Sequence, residues 1–545
     1  SSRKGNPKLQ LSTAAVLVLY GGNCLYVHTK SRRTEENVEK LKQWLFRYYA
    51  ASTFNVCPHS QLPLMTGPPL ALMIDPNATP VAVHSPIPVP LHWQEKVKAG
   101  LDRDVSLGVL EPVPVGESVT WCHRMVICRK KNGQPRRTVD LQALNKHCAR
   151  ETHHTASPFH QAMSIPGGKK KSVFDAWNGY HSVPIRECDR HLTTFITPWG
   201  RYRYRTTPQG YIASGDGYTR RFDEIISEFQ NKTKCIDDTC MWADTMEDCF
   251  FQACEWLDLC GRNGIVLNPE KFIFAQDTVE FAGFDISLDK VKPCSRYLDA
   301  IRQFPTPSTI TDIRSWFGLI NQVSYYASMT DKMRPFRDLL KSKTPFYWDH
   351  QLQQLFEESK QHIVESIQHG ITIFDKSRST CLVTDFSKDG IGFFLLQKHC
   401  DCPNDVPFCC HDGWKITLVG SRFTHPAESR YAPIEGEALA VADALERTKY
   451  FVLGCDNLIV AVDHLPLVKV LGDRKLEDIK NPRLFNLKEK TLPFKYKIIH
   501  VPGRKNLASD ALSRHPSGTP GAEKLLLPDD VHAALELQEL TNINS

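Results

Sequence analysis

The sequence lacks a long apolar run, a strong charge imbalance and an internal repeat. Residues 14–19 are apolar, but a stretch of this length is too short to span a bilayer. The net charge of +6 is small for a chain of 545 residues, and it tolerates a nucleic-acid partner without proving one. No membrane partner is therefore expected, and any other partner has to be inferred from motifs.

Length and composition indicate a multidomain globular protein. A chain of 545 residues with 41% apolar and 23% charged residues has room for about three to four domains. No secretory signal precedes the 18 cysteines, so we interpret most of them as buried thiols in a reducing compartment. The first residue is Ser1 rather than Met, which we interpret as the mark of a processed chain.

Hydrophobic periodicity divides the chain into segments of different character. Prolines are dense between residues 58 and 90, so this segment is predicted to run extended over a surface. From residue 379, the order strand, strand, helix, strand, helix predicts a separate α/β domain. In the first half, strands are predicted over residues 121–129, 136–141, 172–175 and 264–268, and helices over residues 36–51, 93–107, 214–227 and 246–263.

Two adjacent carboxylates, Asp237 and Asp238, lie between two short apolar runs. This pattern predicts a hairpin with the Asp pair at its tip. Because adjacent carboxylates repel each other, a fold that packs them together normally supplies a cation, and oxygen ligands suit Mg²⁺. An ordinary Asp-Asp turn is the alternative, and for the dipeptide alone it is the more common case.

Other residues with metal, phosphate or nucleic-acid chemistry precede this pair. Asp175 ends an apolar strand and is well placed to hold a metal, although such an Asp more often caps a helix or makes a turn. A basic hairpin around Asn132-Gly133 suits either a solvated face or the grip on a triphosphate. Residues 201–205 alternate arginine with tyrosine, a pattern of nucleic-acid-binding strands and of exposed edge strands alike.

A second group of acids lies in the C-terminal half, on a predicted strand, helix, strand and late helix: Asp385, Glu437, Asp463 and Asp510. Each of them is ordinary when taken alone. Four closely spaced cysteines follow the predicted strand over residues 390–396: Cys400, Cys402, Cys409 and Cys410. Their spacing allows a zinc site but is not a standard finger spacing, and free loop cysteines are the alternative.

These motifs occur in one colinear order, and residues from about 53 to 515 resemble the reverse transcriptase plus ribonuclease H portion of a gypsy-type LTR-retrotransposon Pol polyprotein. The resemblance implies a multidomain α/β and α+β fold, with a right-hand polymerase of fingers, palm and thumb before a ribonuclease H-like α/β domain. The implied segments are an N-terminal extension (1–57), a Pro-rich extended segment (58–92), fingers and palm (93–295), a helical thumb or connector (296–375), the ribonuclease H domain (376–516) and a C-terminal tail (517–545).

The resemblance also implies roles for the first group of acids and for residues around them. Asp175 and Asp237 would hold two Mg²⁺ ions and Asp238 would support the site, so that the primer 3′-hydroxyl attacks the α-phosphate of the incoming nucleotide. The implied nucleotide-binding residues are Lys130 and Arg136 for the triphosphate, Tyr180 and Gln209 for the sugar, and Lys271 for the leaving pyrophosphate. A core tyrosine and a surface lysine are the alternatives for Tyr180 and Lys271. Phe281 and Gly283 resemble the primer grip.

One position departs from the family pattern. The family usually has Tyr or Phe before the hairpin acids, whereas this chain has Cys235. A smaller, oxidisable side chain there puts fidelity and redox sensitivity in doubt, but not metal binding.

For the second group, the resemblance implies that Asp385, Glu437, Asp463 and Asp510 surround two Mg²⁺ ions that activate a water to cut RNA paired with DNA. Glu437 fits the motif register better than Glu435. The histidine that retroviral enzymes place before the last aspartate has no clear counterpart here.

The expected function is template-directed DNA synthesis from RNA or DNA, with ribonuclease H cleavage of hybrids. The expected partners are an RNA template, a DNA primer, RNA–DNA hybrid and deoxynucleotide triphosphates, in the cytoplasm within virus-like particles; a homodimer and nuclear access are left open. A catalytically silent nucleic-acid-binding subunit of the same fold is the alternative. No Asp-Thr-Gly or Asp-Ser-Gly protease triplet occurs, which argues against a protease in this chain.

Overall fold

The strand Lys170–Asp175 lies inside a four-stranded antiparallel sheet, and its last residue is one of the predicted metal ligands. The order across this sheet is Lys232–Cys235, Asp238–Ala243, Lys170–Asp175 and Ile273–Gln276. Val173, Phe174 and Met241 are buried, as expected for apolar and aromatic residues on a pleated, packed surface. The register places Asp238 directly opposite Asp175.

The computed structural model describes residues 8–12, 15–20, 23–27, 34–57, 59–130, 133–150, 152–326, 330–340, 345–403, 407, 409–410 and 413–501. The chain forms two compact units, residues 1–156 with 169–281, and residues 157–168 with 282–545. No helix in the described ranges is both long and apolar enough to cross a membrane.

The first unit contains two further sheets. A five-stranded sheet has the order Leu110–Pro112, Gly200–Tyr204, Phe195–Thr197, His123–Arg129 and Pro135–Asp140. A three-stranded antiparallel sheet near the N-terminus consists of Lys8–Ser12, Ala15–Tyr20 and Asn23–Val27. This small sheet was not predicted from the sequence. The strand Val279–Phe281 ends the unit.

Helices and the Pro-rich segment pack against the four-stranded and five-stranded sheets around one core. The helices of the first unit are Thr34–Tyr49, Gln94–Ser106, Gln142–Asn145, Ser214–Ile225 and Met246–Arg262. Within residues 59–90 the chain forms isolated bridges rather than regular elements, as its prolines predict. Leu62, Met65, Leu70 and Leu72 of this segment are nevertheless buried in the core, so it is part of the packed structure.

The second unit begins earlier than the predicted boundary at residue 295. The strands Phe284–Ile286, Lys290–Pro293 and Ile371–Thr372 pair in antiparallel fashion, which ties residues 284–293 to the segment after the helices. Thr309 and Asp312 form a capping box at the start of the helix Ile310–Gln322. The helices of this unit are Pro158–Met163, Ser295–Arg302, Ile310–Gln322, Thr330–Arg337, His350–Ile367, Pro433–Val452, Leu465–Leu471 and Pro482–Thr491.

The C-terminal part of the second unit is built on a mixed five-stranded sheet. Its order is Trp414–Phe423, Gly390–Lys398, Thr380–Phe386, Leu458–Val462 and Lys497–His500. The first three strands pair antiparallel and the last two join in parallel. Thr380–Phe386 and Leu458–Val462 are almost entirely buried, as is typical of strands in the middle of a sheet.

Candidate active sites

The three predicted acids of the first unit meet at one end of the four-stranded sheet. Asp175 ends its strand, and Asp238, its Cα partner, begins the neighbouring one. Cys235 and Asp238 are also paired, so Ile236 and Asp237 form a two-residue turn, in which Ile236 has a φ of 54°. The backbone N–H of Ala176 donates to the carbonyl of Asp237 over 3.0 Å, which fixes the turn against the end of the Asp175 strand.

Burial of these carboxyls disfavours their charged forms. Burial raises the pKa of Asp237. For Asp238, burial, a hydrogen bond to Asp175 and the negative charge of Asp175 all raise the pKa. The nearby hydroxyl of Tyr218 offsets part of the rise in the pKa of Asp237, but it completes no full hydrogen bond, so Asp237 Oδ1 is buried without a partner among the described residues. Buried carboxyls that repel each other and leave an oxygen unpaired are a donor set that fits a divalent cation.

One lysine contacts this group of acids, and a second lysine contacts the turn that carries Asp237. Lys271 Nζ lies 2.8 Å from Asp175 Oδ2, and this hydrogen bond is the main reason why the pKa of Lys271 is raised. Lys234 Nζ donates to the carbonyl of Ile236 over 3.2 Å and lies 3.1 Å from Asp223 Oδ1. Because the side chain of Lys234 is only 4% exposed, we assign it to holding the turn. The sequence analysis did not single out Lys234.

Three of the four predicted acids of the second unit also converge. Asp385 lies near the end of its strand, Glu437 in the helix Pro433–Val452, and Asp463 follows the strand Leu458–Val462. One ligand atom from each lies within 4.8 Å of the others. Burial, with the charges of Asp385 and Asp463, raises the pKa of Glu437 to about 9. Glu437 Oε2 is buried without a partner in the described part of the chain, so this group also fits a divalent cation. Asp510 lies outside the described residues.

Two protein families match the chain, each over one of these groups of acids. "Reverse transcriptase (RNA-dependent DNA polymerase)" matches residues 128–286, and "RNase H-like domain found in reverse transcriptase" matches residues 375–492. The chain carries a reverse transcriptase domain followed by a ribonuclease H-like domain. Each description covers the acids that the structure brings together.

Curated relatives are Pol polyproteins of LTR transposons, which confirms the predicted resemblance. The chain is 26% identical over 481 residues to the retrovirus-related Pol polyprotein from transposon opus of Drosophila melanogaster, covering 84% of this chain and 45% of that protein. It is 25% identical over 400 residues to that from transposon gypsy of the same organism, covering 70% and 36%. The chain thus spans less than half the length of these relatives.

Solved structures of similar fold confirm the predicted fold class. The foamy viral protease-reverse transcriptase in complex with dsDNA has a TM-score of 0.72 at 16% identity, covering 87% of this chain and 95% of that chain. The same viral protein in complex with an RNA/DNA hybrid has a TM-score of 0.67 at 14% identity, covering 91% and 72%.

Next to the acids of the reverse transcriptase domain, Gly179 provides space that no other residue would leave. A Cβ at this position would lie 2.5 Å from Tyr218 Oη and 2.7 Å from Asp237 Oδ1. Tyr218 is fully buried, and its ring centroid lies 5.2 Å from that of the partly buried Tyr180. The predicted sugar-contacting tyrosine is therefore linked to the acids through Tyr218. The sequence analysis missed both Gly179 and Tyr218.

The other predicted nucleotide-binding residues of this domain lie on exposed turns and strands. Gln209 is exposed, and Asn145 holds the turn after it: Asn145 Nδ2 donates to the carbonyl of Gly210 over 2.8 Å, and Ile212 N–H donates to Asn145 Oδ1 over 3.0 Å. Lys130 and Arg136 are exposed on the predicted basic hairpin. Lys131 and Asn132 at its tip lie outside the described residues.

Two of the three arginines of residues 201–205, Arg203 and Arg205, pair with acids, whereas Arg201 Nη2 donates to the carbonyl of Glu117 over 3.1 Å. Arg203 donates from Nε to Glu111 Oε1 over 2.6 Å and from Nη1 to Glu117 Oε1 over 2.5 Å, while Arg205 Nε lies 3.6 Å from Glu111. The strand Gly200–Tyr204 has a hydrogen-bonded neighbour on each side, so it is not the exposed edge strand of the second alternative. Nucleic-acid binding by this strand stays a prediction.

The two predicted primer-grip residues belong to different units. Phe281 is buried in the first unit, with 2% of its surface exposed. Gly283, in the second unit, has a φ of 85°, and a Cβ there would lie 2.5 Å from Tyr297 Cε2, so both its backbone conformation and its surroundings require glycine.

In the ribonuclease H-like domain, the structure separates the roles of Glu435 and Glu437. Glu435 accepts hydrogen bonds from Asn481 Nδ2 over 2.9 Å, Arg483 Nη1 over 3.1 Å and Ala432 N–H over 3.2 Å. Its carboxylate is thus used to join and cap helices, whereas Glu437 faces the two aspartates. The four predicted zinc ligands, Cys400, Cys402, Cys409 and Cys410, also come together in this domain.

Proposed function

We propose that this chain synthesises DNA on RNA or DNA templates and cleaves the RNA strand of RNA–DNA hybrids, at two separate sites. The observation that carries the proposal is the pair of buried acid groups, each with an unpaired carboxylate oxygen and each inside the matching family region. The likeness to a foamy viral reverse transcriptase in complex with dsDNA and with RNA/DNA hybrid supports nucleic-acid partners.

In the proposed polymerase site, Asp175 and Asp237 would hold two Mg²⁺ ions with support from Asp238. The ions would supply activation of the primer 3′-hydroxyl and charge neutralisation for in-line phosphoryl transfer. Asp238 is held in place by its strand pairing with Asp175. Lys234 keeps the turn in position, because its buried Nζ donates a hydrogen bond to the carbonyl of Ile236.

The nucleotide is bound by side chains that surround these acids. Lys130 and Arg136 of the exposed hairpin bind the triphosphate as charge-assisted donors. Tyr180 and Gln209 contact the sugar. Lys271, already protonated and 2.8 Å from Asp175, gives its proton to the leaving pyrophosphate as a general acid.

In the proposed nuclease site, Asp385, Glu437 and Asp463, with Asp510, would hold two Mg²⁺ ions. These ions would supply an activated water for hydrolysis of the RNA strand. The pKa of Glu437, raised to about 9 by burial and by its acidic neighbours, supports this assignment, because such a carboxyl ionises at neutral pH only if a cation is close.

Primer extension on an RNA template with Mg²⁺ tests the polymerase site. Wild-type protein should extend the primer, and Asp237→Asn should lose at least about 100-fold in rate. The matched control is Asp244→Asn, because Asp244 lies at the end of the same strand pair but is 72% exposed and paired with Lys169. A wild-type protein that binds the template but extends no primer would overturn the proposal in favour of a silent binding subunit.

Hybrid cleavage by two glutamate variants tests the nuclease site. Glu437→Gln should abolish cleavage, since it removes a proposed metal ligand. Glu435→Gln should retain cleavage but lower the thermal stability, because it weakens the contacts to Asn481, Arg483 and Ala432. The opposite pattern would show that the two glutamates are wrongly assigned.

A further inference from the structure

The loop between the strands Gly390–Lys398 and Trp414–Phe423 brings four cysteine sulfurs to one point. The Sγ atoms of Cys400, Cys402, Cys409 and Cys410 all lie within 4.8 Å of one another. Cys400 Sγ and Cys409 Sγ are 3.4 Å apart. This separation is far longer than the roughly 2.05 Å of a disulfide bond, and all four residues are free thiols.

These distances match a tetrahedral thiolate site. With zinc–sulfur bonds of about 2.3 Å, tetrahedral geometry places the sulfurs about 3.8 Å apart. The 3.4 Å between Cys400 Sγ and Cys409 Sγ, and the limit of 4.8 Å within which all four sulfurs lie, are both compatible with that value. We propose that Cys400, Cys402, Cys409 and Cys410 bind one zinc ion in a closed four-cysteine site within the ribonuclease H-like domain.

Gly413 shows that the loop is shaped around the sulfurs. A Cβ at Gly413 would lie 2.4 Å from Cys410 Sγ and 2.6 Å from Cys400 Sγ, so any side chain there would displace both ligands. The carbonyl of Gly413 accepts from His399 N–H over 2.7 Å, which closes the base of the loop. The backbone at Gly413 therefore lies too close to the sulfurs for any residue that has a side chain.

The charges around the loop suit such a site. Four thiolates and one zinc ion carry a net charge of −2. Lys398 donates from Nζ to the carbonyl of Cys402, and Arg378 Nη1 donates to the carbonyl of Lys398 over 3.2 Å. Both cations thus lie beside the loop. Lys398 offsets part of the negative charge of the site, whereas Arg378 is also paired with Asp375 over 3.3 Å.

The position in the sheet assigns the site a structural role. Asp385 pairs with Gly392, whereas the loop leaves the same strand after Lys398, so the two sites are separated by about 20 Å of strand at about 3.3 Å per residue. Trp414, which follows the loop directly, packs against the core of Cys381, Val383 and Leu396. A closed four-ligand site contributes folding energy rather than catalysis, here by fixing this end of the sheet.

Metal analysis of the intact chain, purified under reducing conditions and freed of any affinity tag, tests the proposal. Inductively coupled plasma mass spectrometry should find one zinc ion per chain. Cys402→Ser with Cys409→Ser should lose it, whereas Cys455→Ser, which removes another partly buried free cysteine of the same unit, should retain it. Zinc at background in the wild type, or unchanged in the double variant, would overturn the proposal, as would iron or copper in place of zinc, since soft thiolates also bind these metals.

A second readout is independent of variant folding. Wild-type protein stripped of metal and titrated with Co²⁺ should bind one equivalent with the absorption of a tetrahedral thiolate site, and one equivalent of Zn²⁺ should remove that absorption. Absence of the thiolate band would refute the four-cysteine ligand set. Neither readout uses primer extension or hybrid cleavage, so the zinc site and the proposed function stand or fall separately.

Discussion

Replacing Gly179 by alanine would test whether the close packing around the Asp pair is needed for DNA synthesis. The added Cβ would lie 2.5 Å from Tyr218 Oη and 2.7 Å from Asp237 Oδ1, whereas ordinary contact begins at 3.4 Å. One or both of these atoms must therefore move by about 0.7–0.9 Å. Tyr218 is fully buried, so much of the displacement falls on Asp237. A misplacement of about 1 Å in a catalytic group costs on the order of 100-fold in rate.

Single-nucleotide primer extension in the pre-steady state is the suitable assay. We expect Gly179→Ala to add nucleotides about 100-fold more slowly than wild type, with hybrid cleavage unchanged. Gly215→Ala is the matched control, because Gly215 is helical and its added Cβ would meet Tyr180 Oη at an ordinary 3.8 Å. Tyr218→Phe would not relieve the contact, because Tyr218 Cζ would also lie 2.6 Å from the added Cβ. In the double variant Gly179→Ala/Tyr218→Leu both Oη and Cζ are gone, so part of the rate should return. A wild-type rate for Gly179→Ala would refute the reasoning.

Three further predictions follow from the site geometry. Lys271→Gln should slow nucleotide addition by about 100-fold or more if Lys271 is the general acid, which single-turnover kinetics would measure. Tyr180→Val should let the protein incorporate ribonucleotides, which competition between the two sugar types would reveal. Because the pKa of Glu437 is raised to about 9 in the fold, the stability that this one group contributes without divalent ions should be complete below its unfolded-state pKa of about 4.5 and be lost as the pH rises towards 9. Thermal denaturation in chelator, as the difference between wild type and Glu437→Gln, would show this.

Each of these predictions has a matched control. Lys40→Gln changes an exposed lysine on the N-terminal helix and should not affect nucleotide addition, so equal effects of the two lysine variants would contradict the role of Lys271. Tyr180→Phe keeps the ring and should keep ribonucleotide exclusion. Glu437→Gln cannot ionise, so its metal-free thermal stability should depend less on pH than that of wild type, and an identical pH dependence would exclude Glu437 as the cause.

The elements that carry the acids were predictable because their signals are local. The Asp pair lies between short apolar runs, and the structure contains the hairpin that this pattern predicts, with Cys235 opposite Asp238. Similarly, the apolar runs before Asp385 and Asp463 form the buried strands Thr380–Phe386 and Leu458–Val462.

Residues whose role depends on distant partners could not be found in this way. Lys234 is a charged residue in a strand, and its burial makes sense only with Asp223 of a neighbouring helix beside it. Gly179 matters because Tyr218 and Asp237 approach it in the fold. The arginine–tyrosine alternation was ambiguous in sequence, since only the structure places Glu111 against those arginines.

One strand was missed and another was wrongly predicted, and both errors have physical reasons. The strand Trp414–Phe423 was not predicted, and two of its buried residues, Thr417 and Ser421, are polar, which weakens the apolar pattern by which a buried strand is recognised. The predicted strand over residues 264–268 is wrong, because only Leu267 pairs there, as an isolated bridge with Ala176.

The central claim is that two separate groups of carboxylates perform two separate reactions. It is tested most directly with one RNA–DNA hybrid substrate labelled on the DNA primer and, with a second dye, on the RNA template. We predict that Asp237→Asn cleaves the RNA at the wild-type rate without extending the primer, and that Asp385→Asn extends the primer without cleaving the RNA. Loss of both activities in either variant, or retention of both, would contradict the claim.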